Sequence, residues 1–322
     1  MAVCIPHTSY LSTPEFYANS LHSIAVIELP VIFFGAYCIL LKTPKEMSSI
    51  KWLMAVLHIL TAFTDFIISV LALPYILFPL TAGYGLGVID APGLLFYLMV
   101  TSVGAIGASI VSIYENRYFV LFGWDTWWKR ARKPALTFVY TVTPFFFIPP
   151  YFNPPDQELG KRIVLQTLPC LPPFTYNNRP MYVMELNYTI PAACIALMAT
   201  FYAIISFCFF TLVCWKIFGR KSTAVSQNTR RMQGRFAIAF TLQSAFLITA
   251  LLMPIAVMLA TMYFYHHNQV INNFTFIAFS FHGVGSTIVM ILVHKPYREF
   301  AFSFFGFTRE KPVGTRVASI VL

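Results

Sequence analysis

The chain has 322 residues, 58% of them hydrophobic and only 11% charged, with a net charge of +10 and a mean hydropathy of +0.69. A water-soluble domain would carry roughly 25% charged residues. The composition therefore excludes a soluble globular protein and makes a lipid bilayer the solvent for the apolar side chains.

A helix crosses the hydrocarbon with about 20 apolar residues, and the hydropathy predicts seven such helices in chain order. Residues 1–19 form a short N-terminal segment that lacks the basic start and apolar core of a cleavable signal, so the first span is expected to act as the insertion signal. The spans are read as Ser20–Leu41, Trp52–Leu80, Pro92–Tyr114, Pro134–Pro150, Tyr188–Trp215, Phe236–Phe264 and Phe274–Val293. The fourth is short and bounded by prolines. Residues 294–322 make a tail in which Tyr297, Phe300, Ala301, Phe304 and Phe305 recur at helical spacing, predicting a short amphipathic helix on the membrane surface. No internal repeat or linker marks a second domain. The expected fold is an all-α membrane protein, a seven-transmembrane helix bundle.

Lys and Arg alternate between loops. The loops after the first, third and fifth spans and the tail hold three, five, six and five, which is 19 of the 22 cations. The positive-inside rule then predicts an outside N-terminus and an inside C-terminus. The net charge is accounted for by inner loops facing anionic lipid, and no nucleic-acid partner is expected. Two glycosylation sequons, Asn187-Tyr188-Thr189 and Asn273-Phe274-Thr275, fall on the predicted outer side. So do two of the six cysteines, Cys4 and Cys170, which are expected to pair and to pin the N-terminal segment to the long outer loop.

Ionisable side chains inside a span are costly and mark candidate functional positions. Asp65 falls near the middle of the second span, and Glu28 in the outer half of the first. Two readings stand for Asp65: an anchor for a polar network that rearranges on activation, or a hydrogen bond to a neighbouring helix. For Glu28 they are a helix–helix hydrogen bond or the wall of a ligand cavity. His22, His58 and His282 lie on separate segments and read as structural, so neither a metal nor a cofactor is expected. The chain lacks an HExxH, a Walker A loop, a nucleophile elbow and a Gly-rich dinucleotide turn. It does not read as an enzyme. The seventh span lacks the lysine that a retinal Schiff base needs. Prolines 30, 74, 144, 191 and 254 interrupt spans one by one, without the paired pattern of a two-repeat carrier. Pro191 and Pro254 are the candidate flex points.

Four stretches carry a family resemblance when taken together and in order. They are "TPEFYANSLHSIAVIELPVIFFGAYCILLKTPKEMSSIKW", "LALPYILFPLTAGYGLGV", "ENRY" and "VHKPYREF". From Thr13 to about Phe305 the chain resembles the nematode serpentine chemoreceptors of class H. That resemblance implies a G protein-coupled receptor for a small environmental chemical, in the plasma membrane and in the ciliary membrane of a sensory neuron. The implied partners are a small-molecule ligand, a heterotrimeric G protein and the lipid bilayer.

In this light Glu115-Asn116-Arg117-Tyr118, at the predicted inner end of the third span, occupies the place of the acid-Arg-Tyr motif of rhodopsin-like receptors. Two residues of helix separate Glu115 from Arg117 by about 200°, so they are poor partners for one another. The resemblance implies that Arg117 meets the G protein when the inner ends of the fifth and sixth helices separate, after a ligand arrives from the outer side. No ligand-binding residue is assigned. The alternatives from other classes are a membrane carrier or channel subunit, and a receptor-like escort that does not signal.

Overall fold

The computed structural model describes residues 3–4, 9–168, 171, 180–219 and 227–306. Among these, seven helices are long and apolar enough to span a bilayer: Pro14–Leu41, Ser48–Ala72, Pro92–Gly123, Trp128–Phe152, Thr189–Trp215, Ala237–Tyr263 and Gln269–Val293. Each predicted span has its counterpart. The first begins six residues early, because Thr13 caps it by accepting from the Phe16 amide while Pro14 fills the first turn.

The largest departure is in the second span. Its helix loosens into a π-helical turn at Ile67–Ala72 and stops at Leu73, whose φ is +38°. Pro74 follows and has no amide to continue the ladder. Leu73–Leu80, counted as membrane helix from its hydropathy, instead runs over the end of the bundle. Its apolar side chains meet protein rather than lipid: Tyr75, Leu77, Phe78 and Leu80 are all buried.

Two small sheets cover this end. β1 (Val3–Cys4) pairs in parallel with β5 (His266–His267), and an antiparallel sheet runs β2 (Pro74–Ile76), β3 (Thr81–Gly85), β4 (Tyr182–Glu185). Side chains tie this layer to the first span and to the smaller sheet. Tyr17 donates from its hydroxyl to Pro74 O at 3.1 Å, Tyr75 to Ser12 O at 2.5 Å, and His267 Nδ1 bonds Phe78 O at 2.6 Å. A surface helix, Gln157–Thr167, is clipped to β4 because the Gln157 amide brackets Val183, donating to its carbonyl and accepting from its N–H, both at 2.9 Å. The side chain of Cys4 and the whole of Cys170 lie outside the described residues, and with them the expected disulfide.

The third span is central: 56% of its most apolar stretch is buried, against 11% for the fifth, which turns most of its surface to lipid. The amphipathic tail helix forms over Lys295–Phe304. Tyr297 is fully buried with its hydroxyl 2.7 Å from Thr43 Oγ1, and Phe300 stacks on Phe34 at 6.0 Å.

Candidate functional site

At the C-terminal end of the third span, helical geometry separates neighbouring residues. Glu115 is fully buried and faces the fourth span, where Arg132 Nη2 donates to Oε2 at 2.9 Å and Trp128 Nε1 donates to Oε1 at 2.8 Å. The same guanidinium lies 3.8 Å over the Phe119 ring. Asn116 reaches the second span and donates to Ser49 O at 3.3 Å. Tyr118 meets Phe209 of the fifth span, ring centres 5.8 Å apart.

Arg117 points elsewhere, near enough to His294 for its charge to bear on that imidazole. His294 begins the turn into the tail helix and is buried, with Nε2 3.3 Å from Gln243 Oε1 on the sixth span. Burial, and then the Arg117 charge, push its pKa down to about 4. The imidazole is neutral, and it joins the ends of the third, sixth and seventh spans. Neither Arg132 and Trp128 nor His294 was singled out from sequence.

The intramembrane acids are brought together with a residue read as isolated. Glu28, Asp65 and His282 are all buried where the first, second and seventh spans meet. The proton on His282 Nδ1 points to Phe279 O at 2.8 Å, and Asp65 Oδ1 lies 2.7 Å from the same nitrogen, an electrostatic contact beside that hydrogen bond. Gly283 makes the approach possible. A Cβ there would collide with Asp65 Oδ2 and lie 3.2 Å from Glu28 Oε1. The reading of His282 as an isolated residue is thus corrected: the helix break at Phe281 between Gln269–Ser280 and His282–Val293 turns it onto Asp65. The signal was available, since an intramembrane His is as informative as an intramembrane acid. His58 lies on the same seam, with Nε2 3.0 Å from Ile32 O and Nδ1 3.4 Å from Thr287 Oγ1.

Two further expectations are corrected. Pro191 sits in the first turn of the helix that starts at Thr189, where its missing N–H breaks no hydrogen bond, so it is no mid-span flex point. Pro254 does lie inside its helix. Asn273 is buried, its Nδ2 donating to Leu11 O and its Oδ1 accepting from Gln269 Nε2, both at 2.9 Å. The folded bundle has no room for a glycan there. Asn187 is exposed.

Among the described residues, two of the cavities between the helices bear on a ligand site. One, of about 80 Å³, sits under the β2–β3–β4 sheet among Tyr84, Phe96, Tyr182, Pro191 and Met258. The other, of about 690 Å³, is a groove between the third, fifth and sixth spans. Among the described residues no set of His, Cys, Asp and Glu is placed to hold a metal ion.

A seven-span bundle with a buried polar seam through its first, second and seventh helices, and an Arg turned inward at the end of the third, has the form of a seven-helix receptor. The model of the serpentine type 7TM GPCR chemoreceptor family Srh matches residues 12–307. The chain belongs to that family. It is 27% identical to serpentine receptor class H-72 of Caenorhabditis elegans over 96% of this chain and 91% of that one.

Proposed function

We propose that this chain is a chemosensory receptor that binds a small molecule between its helices and activates a heterotrimeric G protein at the end that carries Arg117. The observation that carries the reading is the parting of Glu115 and Arg117. The acid is paired with Arg132 on the fourth span, while Arg117, with Nε and Nη2 buried, lies near enough to His294 for its charge to bear on that ring. The excess of cations in the loops at this end supports a cytoplasmic orientation for it, and residence in the plasma membrane would bring it to the G protein.

A ligand shifts a two-state bundle only by its differential affinity for the two states. The 3.3 Å contact of His294 with Gln243 holds the sixth span against the end of the seventh. A ligand that favours displacement of the sixth span, with Pro254 as its flex point, breaks that contact and opens Arg117 to the G protein.

The test is intracellular calcium in cells co-expressing the chain and a promiscuous G protein, challenged with a chemical panel. Arg117→Ala is expected to reach the surface as the wild type does and to lose the response. Undiminished signalling by that variant would remove Arg117 from the mechanism. Substrate flux or current without a G protein would favour a carrier or channel.

A further inference from the structure

The two cavities differ in a way that decides what the bundle can hold. A closed apolar cavity of about 150 Å³ accommodates one benzene. The 80 Å³ space beneath the sheet is smaller than that, and β2, β3 and β4 lie over it. The groove, at 690 Å³, falls within the range of about 300–1,000 Å³ that small-molecule sites occupy.

The groove lies midway along the third, fifth and sixth spans. Its inner wall is Ile106, Gly107 and Ile110 of the third span, which are set back from lipid. Its rim carries Ile204 and Phe207 of the fifth span and Leu252 of the sixth, which are 59%, 66% and 46% exposed. It opens sideways, between the fifth and sixth spans. No charged side chain lines it, and its polar groups are the hydroxyls of Tyr114, Thr200, Tyr202 and Ser206. The phenol of Tyr202 is held in place by Thr143, Oγ1 to OH 2.6 Å. Ile195 and Ile255 line both cavities, so the groove runs up to the capped space with these two side chains between.

We propose that this groove is the ligand site and that its ligand is a neutral, lipid-soluble molecule with one hydroxyl or carbonyl end, which arrives from the bilayer rather than from water. This rests on the receptor reading above and adds the site, the ligand class and the route. An ionic or strongly polar ligand would leave its charge unpaired among isoleucines and phenylalanines, at a cost of several kcal/mol. A lipid-soluble one is concentrated by the membrane at the depth of the opening.

The experiment uses the full chain in lipid nanodiscs with a diazirine-bearing twelve-carbon alcohol as photoprobe, and maps the labelled residues by mass spectrometry. Labelling within 103–114, 195–210 and 248–255 is expected to saturate and to fall at least tenfold with excess unlabelled dodecanol. Labelling at the equally lipid-exposed Phe33 and Ile59 is expected to rise linearly. Ala203→Trp, which fills the groove from its rim, is expected to abolish the saturable part. Groove labelling that rises linearly, as at Phe33, would show bulk lipid only and overturn the site, whether or not the tryptophan variant folds. The readout needs no G protein. Saturable labelling without any cellular response therefore supports the site while overturning the receptor reading.

Discussion

Asp65 Oδ1 lies 2.7 Å from His282 Nδ1, joining the second span to the seventh where neither side chain reaches water. The contact depends on Gly283, which lets the two helices approach until Asp65 rests on the glycine backbone.

Removing one partner leaves the other a buried polar group with one fewer polar neighbour, which costs about 1–3 kcal/mol. Asp65→Ala is expected to lower the thermal midpoint of the purified protein and to reduce surface yield, while Asp65→Asn, which keeps shape and polarity, loses less. Equal losses in the two variants would show that packing, not the carboxylate, matters here.

Gly283→Ala places a methyl group against Asp65 Oδ2 and is expected to disrupt the seam. Gly234→Ala is its control, since a Cβ at Gly234 meets nothing within 4 Å and alanine gains about 0.5–1 kcal/mol in a helix. A fluorescence-detected size-exclusion profile distinguishes them: a monodisperse Gly283→Ala peak at wild-type yield would refute the close approach.

Arg132→Ala is expected to strand Glu115, which is fully buried, and to destabilise the protein by about 3 kcal/mol. The exposed neighbour Arg130, changed to Ala, is expected to stay within about 0.5 kcal/mol of the wild type. If the two variants melt alike, the Glu115–Arg132 pair contributes nothing to stability.

His294 supplies a pH dependence. Its folded pKa of about 4 lies below the unfolded value of 6.5, so the unfolded chain binds the extra proton first. Its contribution is fully present above pH 6.5 and is lost as pH falls from there through about 4, on the order of 3 kcal/mol in all. His294→Gln is expected to flatten the fall in melting temperature between pH 6.5 and 4.5. An unchanged slope would show that His294 is not buried as a neutral ring.

Much of this was legible in the chain. The count of spans, the tail helix and the separation of Glu115 from Arg117 follow from composition over twenty residues and from the 3.6-residue turn, both one-dimensional properties. The groove was not legible. The apolar residues that line it have the same hydropathy as those that face lipid.

The sequence by itself determined that the chain lives in a bilayer, how many times it crosses, and where its few ionisable groups fall along each helix. Only the tertiary structure decided what those groups meet: Asp65 with His282, Glu115 with Arg132, His294 with Gln243. It also decided that Leu73–Leu80 supplies a strand of the sheet over the end of the bundle rather than membrane helix, that Asn273 is buried in hydrogen bonds, and that Pro191 opens its helix. The physical reason is that lipid and protein interior are equally apolar, so hydropathy measures the distance from water and cannot tell which of the two has replaced it.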